Sequence, residues 1–383
     1  MRETELTGDG VAAPRPMNPT GVLPSHLLKA MIRAGEIASE EPILPEQIQP
    51  ASVDLRLGTV AYRLRASFLP GRSARVADKL AGLAMHEMDL TPGAVLETGC
   101  VYLVPLVESL KLPSRISGLA NPKSSTGRID VFTRLLIDGA DEFDRVPAGY
   151  TGPLYAEISP RTFSVLVRAG SRLNQLRLKR GGASLEDAEL RRLHQDENLI
   201  ASQGDWADIA QGIALSVDLK GDVSGLVGYR GKRHAGLIDV DRVDAYDPFD
   251  FWDPVYARTR EQIILDPNEF YILASKEAVH VPPAYAAEMV PYDPLVGEFR
   301  VHYAGFFDPG FGHAAAGGAG SKAVLEVRSH EVPFVLEDGQ KVGRLVYERL
   351  TELPEELYGQ GSGGHYQRQG LQLSKHFKRA LRG

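Results

Sequence analysis

Two groups of residues within positions 120–157 are of types that do chemistry. The first is Lys123, Ser124, Ser125 and Arg128, in the run KSSTGR. Hydroxyls and backbone amides in a turn form a concave set of donors, and an arginine can fork onto phosphate oxygens. The second is Glu157, a lone acid in the otherwise apolar run Leu154-Tyr155-Ala156-Glu157-Ile158. Burial raises a carboxyl's pKa and fits it for proton transfer near neutral pH. Taken singly, Ser-Ser is ordinary turn chemistry and a strand glutamate faces solvent. Taken together, an anion cradle followed by a buried acid is the equipment of an enzyme for a phosphorylated substrate.

The elements that must position these groups are short and β-rich. The chain has 383 residues, 39 Gly and 25 Pro, with apolar and charged fractions of 43% and 24%, as in a soluble globular protein. A net charge of −7 argues against a general nucleic-acid binder. The lone cysteine, Cys100, excludes an internal disulfide and a Cys-rich zinc site, and suits a reducing cytoplasm. No apolar run is long enough for a membrane span. Residues 1–20 read as a loose arm. A helix is expected from Ser25, as its cap, to Gly35, as its stop. Strands are expected from Ser52, over 101–107 and over 164–167. Within 181–212, Ser184-Leu185-Glu186-Asp187 resembles a capping box, and Leu185, Leu190 and Leu193 share a face, so a helical linker is expected.

The second half repeats the first. Tyr102/Tyr271, Glu108/Glu277, Pro113/Pro282, Glu157/Glu326 and Gly170/Gly339 all lie 169 positions apart (271 − 102 for the tyrosines, 326 − 157 for the glutamates). Ser52-Val53-Asp54-Leu55 also reads as repeated in Ser216-Val217-Asp218-Leu219. Two β-rich domains of one fold are expected, 21–180 and 213–356, followed by a tail, 357–383. The halves differ in their chemistry. Where the first has KSSTGR, the second has Tyr292-Asp293-Pro294-Leu295-Val296-Gly297. Asp308, in the run Asp308-Pro309-Gly310-Phe311-Gly312, has Asp138 and Asp144 as candidate counterparts. The tail is polar, Gly-rich and aromatic, suited to a closing lid or to disorder, with Lys375, Lys378, Arg379 and Arg382 as a solvated basic end.

These residues together resemble the dCTP deaminase family, of the trimeric dUTPase superfamily. Ile48-Gln49-Pro50 with Ser52 to Gly58 resembles its N-terminal signature. KSSTGR resembles its phosphate motif, which usually opens with Arg. The run Gly149-Tyr150-Thr151-Gly152 to Glu157 resembles the segment ending in the catalytic glutamate, and Glu326 sits where a second would be. Asp308 to Gly312 resembles the nucleoside-contacting hairpin, followed by an insertion at 313–320. Tyr358, His365 and Gln369 fall at the spacing of the substrate-closing tail, with His365 where a Lys is usual.

The resemblance implies a mainly β fold, a distorted barrel or jelly roll of the dUTPase type in tandem, with sites between subunits of a homo-oligomer. It implies hydrolysis of dCTP to dUTP and ammonia, with Mg²⁺ on the triphosphate and no zinc or other protein-bound metal. Zinc deaminases need a PCxxC segment that one cysteine cannot supply. Lys123, Ser124, Ser125 and Arg128 would hold the triphosphate, and Asp308, Tyr358, His365 and Gln369 would contact substrate. Glu157, which shares a half with the phosphate motif, is the first choice as catalytic acid and base, with Glu326 as its rival. If the first-half motif faces the second-half hairpin, Asp308 and Glu326 complete the site instead. Competing readings are a dUTP diphosphatase, a bifunctional enzyme yielding dUMP, and a non-catalytic nucleotide-binding regulator. A purely structural assembly protein is the remaining class. dTTP stands as a candidate inhibitor. No nucleic acid or membrane partner is expected.

Overall fold

The computed structural model describes residues 18–201, 207–221, 223–257, 260–291, 299–301, 305–329, 331–360 and 366–379. Residues 1–17, Trp206, the run 292–297, His365 and Arg382 lie outside the described residues. Regular structure is mainly β, as the alternation of Val, Ile, Leu and Tyr with polar residues dictates. In the first half one sheet runs in the order Val131–Ile137, Thr151–Pro160, Val101–Lys111, Val60–Leu64, Ala84–Asp89. The other runs Arg145–Val146, Ile116–Pro122, Arg172–Arg180, Ser52–Arg56, Ile48–Gln49. Both contribute to one buried core, with Leu55, Leu176 and Leu178 from the second sheet meeting Leu103, Leu135 and Leu154 from the first.

The second half repeats this arrangement, without a counterpart of Ile48–Gln49 among the described residues. Its sheets run Phe299–Val301, Ser321–Ser329, Phe270–Val279, Leu226–Gly231, Trp252–Tyr256, and Phe306–Phe307, Tyr285–Pro291, Lys341–Arg349, Ile213–Ser216. Local contacts repeat as well. The Tyr102 hydroxyl accepts from the Glu97 amide at 3.0 Å, and the Tyr271 hydroxyl from the Asp266 amide at 3.1 Å. Glu108 accepts from the Arg56 amide at 2.8 Å, and Glu277 from the Ser216 amide at 2.9 Å.

That last pair corrects the sequence alignment of the halves. The amides of Leu57 and Val217 donate to Ser171 and Gln340, and their carbonyls accept from Gly170 and Gly339. Leu57 therefore matches Val217, and Arg56 matches Ser216. The apparent repeat of Ser52-Val53-Asp54-Leu55 is displaced by four residues, a coincidence of strand composition. Asp308 is corrected likewise. Val146 pairs with Gly118 as Phe307 pairs with Ala287, so the counterpart of Asp308 is Pro147, neither Asp138 nor Asp144. Two caps also differ from expectation. Ser25 is the first residue of the helix Ser25–Arg33, behind Pro24, and its buried hydroxyl caps nothing. The helix Asp187–Glu197 is boxed by Glu186 and Glu189, while Ser184 bridges to Glu348. Its Leu190 packs into the second-half core.

The halves share a third core. Val104, Ile158 and Phe163 of the first meet Trp252, Phe270 and Val324 of the second, with Leu373 and Phe377 of the tail. Trp252 is wholly buried, edge-on to Phe163 at 5.2 Å and to Phe377 at 5.9 Å. Ile238–Asp239 adds a parallel strand to Val165–Val167, and Arg328 pairs with Asp130 across the junction. Among the described residues no helix is long and apolar enough to cross a membrane.

Candidate active site

The KSSTGR run forms one helical turn, Ser124–Gly127, directly after the strand Ile116–Pro122. Two bonds to the Leu173 carbonyl fix it to the neighbouring strand, from the Lys123 amide at 2.8 Å and the Thr126 hydroxyl at 3.0 Å. The first amides of such a turn have no acceptor within it and are open to an anion. Lys123, Ser124, Ser125 and Arg128 line a cavity of about 640 Å³. Asp308 and Glu326 of the second half and Tyr358 and Gln369 of the tail line the same cavity. A first-half cradle thus faces a second-half acid within one chain.

Glu326 projects from the strand Ser321–Ser329 and is 5% exposed. Burial raises its carboxyl to about 7, with the charge of Arg128 opposing that rise. A carboxyl poised there both accepts and returns a proton at neutral pH. Asp308 is buried beside Arg177, whose guanidinium lies 3.5 Å from it and also donates to the Phe307 carbonyl at 3.3 Å. Burial pushes the Asp308 carboxyl up, and Arg177 holds it back. Arg177 further donates to Glu348 and to the Ala287 carbonyl, and lies 4.0 Å from the centre of the Phe306 ring.

Glu157 does not line the cavity. It is 2% exposed and ion-paired to Arg134, whose Nε donates at 3.2 Å. Its equivalence to Glu326 is exact in register, since Glu157 pairs with Leu103 and Glu326 with Ile272.

The tail is ordered on the second half where it is described. Gln367 accepts from the Gly312 amide at 2.8 Å and donates to the carbonyls of Gly310 and Ala316. The 313–320 insertion therefore holds the tail. Gly312 has φ +66°, and a Cβ there would lie 2.0 Å from the Val279 carbonyl, so only glycine fits. Tyr358 packs against Phe311 at 5.5 Å. Arg128, read as a phosphate ligand, lines the cavity and also holds the tail. It donates to Gln369 at 2.9 Å and to the Gln372 carbonyl at 3.0 Å, with the Tyr366 ring 3.9 Å away.

Asp54, Arg172, Gln175 and Lys375 are among the cavity residues that sequence reasoning left unmarked. Asp54, in the N-terminal signature, pairs with Lys123. Arg172 and Gln175 fall in ordinary strand alternation and give no signal. Lys375, read as part of a solvated end, lines the cavity. Among the described residues no group of three or more His, Cys, Asp or Glu is arranged to hold a metal.

Residues 19–182 match the family model described as the 2'-deoxycytidine 5'-triphosphate deaminase N-terminal domain, and 186–377 match its C-terminal domain. The chain belongs to the dCTP deaminase family. A crystal structure of the 2'-deoxycytidine 5'-triphosphate deaminase from Agrobacterium tumefaciens is 60% identical, with a TM-score of 0.84, over 88% of this chain and 100% of that one. Among curated relatives, "dCTP deaminase, dUMP-forming" of Pseudarthrobacter chlorophenolicus is 36% identical over 114 residues, 28% of this chain and 55% of that protein. The chain thus spans about half the length of that relative. "dCTP deaminase" of Natronomonas pharaonis is 27% identical over 50% of this chain and 93% of its own length. The deaminase family membership and the tandem β fold agree with the resemblance read from KSSTGR, Glu157 and Asp308 to Gly312.

Proposed function

We propose that this chain hydrolyses dCTP to dUTP and ammonia, with Glu326 as the catalytic acid and base. The observation that carries the reading is the single cavity joining the Lys123-Ser124-Ser125 cradle to Glu326. The triphosphate, entering with its Mg²⁺, lies on the cradle, and the cytosine reaches toward Glu326. Glu326 takes a proton from water as its oxygen bonds to C4. That proton passes to N3 of the ring, which keeps it. Glu326 then carries the proton of the new C4 hydroxyl to the amine, and the C4–N bond breaks as C4=O forms and ammonia leaves. Arg128 holds Tyr366 and Gln369 of the tail over the base while its charge keeps the ionised form of Glu326 accessible. Asp308, fixed by Arg177, contacts the nucleoside.

The reading includes one site per chain. Glu157 is paired with Arg134, Pro147 stands in place of Asp308, and the run 292–297 lacks the basic residues of KSSTGR. Assembly with further copies of the chain also belongs to it, with the mass in solution as its check.

The test is product analysis from dCTP and Mg²⁺ for the wild type, Glu326→Gln and Glu157→Gln. Glutamine keeps the shape and cannot carry the proton. The expected result is ammonia from the wild type, near-complete loss in Glu326→Gln, and turnover retained in Glu157→Gln. A dead Glu157→Gln beside an active Glu326→Gln reverses the assignment. Release of no ammonia by the wild type removes the deaminase reading. A second outcome, dUMP with pyrophosphate, is favoured by the relatives named dUMP-forming and is read in the same assay.

A further inference from the structure

We propose that Arg172 and Lys375 form the second wall of the anion cradle and bind the phosphate oxygens of the nucleotide. The inference rests on the nucleotide reading of the cavity and adds two residues to it.

Both side chains line the cavity that holds Lys123, Ser124 and Ser125. Arg172 opens the strand Arg172–Arg180, next to the Leu173 carbonyl that anchors the cradle turn. Its Nη1 is buried with no acceptor among the described residues. Lys375 has no carboxylate in ion-pair contact among the described residues, although it is half-buried. Its backbone is held firmly. The Ser374 hydroxyl donates to the Ser125 carbonyl at 2.8 Å, the Lys375 amide donates to the Tyr366 hydroxyl at 3.2 Å, and His376 bonds the Val240 carbonyl at 3.0 Å.

The neighbouring acids each have a partner, and Asp54 keeps a buried Oδ1 with none among the described residues. Asp54 pairs with Lys123. Asp241 accepts from the Ser171 hydroxyl at 2.6 Å and faces Arg168 at 3.6 Å. Arg128 gives both Nη atoms to the tail and keeps a buried Nε with no acceptor among the described residues. Around Lys375 the charges are Lys123 and Arg172 against Asp54 and Asp241, so with Lys375 itself the local balance is three cations to two acids, although the lining as a whole holds five of each. Desolvation lowers the Lys375 ammonium, and the charges of Lys123 and Arg172 lower it further, with Asp54 and Asp241 opposing. Uncompensated cations of this kind destabilise the empty protein and are relieved by an anion of several negative charges. A triphosphate supplies that anion, with oxygens enough for all three cations.

The experiment uses the full chain with Arg172→Met, Lys375→Met, the double variant and Lys375→Arg. KM and kcat for dCTP are measured, together with calorimetric binding of inorganic tripolyphosphate and of dCMP, and Tm without ligand. Each Met variant is expected to raise KM for dCTP about tenfold or more, the worth of one charge-assisted hydrogen bond, with kcat little changed. Tripolyphosphate binding is lost in the double variant, dCMP suffers less than dCTP, and Lys375→Arg restores most of the affinity. Tm without ligand is unchanged or higher, which a merely structural pair would not give. Folded variants with wild-type KM for dCTP and wild-type tripolyphosphate binding overturn the inference. Equal losses for dCMP and dCTP, or a lowered Tm, overturn it too. A wild type that releases no ammonia but binds tripolyphosphate through these residues leaves the inference standing and removes the deaminase reading alone.

Discussion

Glu326 and Glu157 are the same residue at matching positions of two copies of one fold, and their surroundings set them apart. Arg134 neutralises Glu157 where it stands. Glu326 faces the cavity with its carboxyl raised from 4.5 to about 7 by burial. This makes a prediction at the residue scale. Below pH 4.5 the carboxyl is protonated in the folded and unfolded chain alike. Between 4.5 and 7 the unfolded chain releases the proton first, so this group costs stability as pH rises through that window, and the cost is constant above it. It is at most on the order of 3 kcal/mol. Glu326→Gln should therefore raise Tm more at pH 8 than at pH 4.5. A Tm difference that does not change with pH would show that the carboxyl carries no such strain.

The tail is an element whose sequence suggests freedom, whereas its described residues, 357–360 and 366–379, are packed. Gln367 ties it to the 313–320 insertion, and Arg128 ties it to the first half. Leu373 and Phe377 end it in the core shared by both halves. Phe377 meets Phe251 edge-on at 5.4 Å and Trp252 at 5.9 Å. Removing its ring, Phe377→Ala, is expected to cost about 3–5 kcal/mol. Because the same segment carries Gln369 and Lys375, the KM for dCTP should rise with it. Thermal melts and steady-state kinetics read the two effects. A variant with lowered Tm and unaltered KM would mean that the tail stabilises the fold without closing the cavity.

At the scale of the whole molecule, duplication has produced two halves that depend on each other. Arg177, wholly buried on a first-half strand, holds Glu348 and Asp308 of the second half. Replacing it, Arg177→Met, leaves Asp308 without its cation, while Glu348 keeps Lys179, and is expected to cost about 3–5 kcal/mol. With a common core and cross-junction pairs, the halves should unfold in one calorimetric transition. Two separate transitions in the wild type would refute that coupling. Titration with dCTP in the Glu326→Gln protein should saturate at one nucleotide per chain. Two per chain would mean that the half containing Glu157 keeps a working site.

The sequence by itself determined the β class and the tandem repeat, and it marked the KSSTGR run and the two acids as candidates. These are local properties: strand period, turn residues, an acid in an apolar run. It also carried the 169-residue spacing, because paired strands of equal length keep equal spacing. The repeat of Ser52-Val53-Asp54-Leu55 misled because strands share composition, and only hydrogen-bond register distinguishes one alignment from another four residues away. The tertiary structure alone decided which acid faces the cradle. Arg128 and Glu326 are about two hundred positions apart, and no periodicity links them. It alone turned Lys375 from a solvated terminal cation into a wall of the cavity. A charge's role depends on whether water or protein surrounds it, and folding sets that environment.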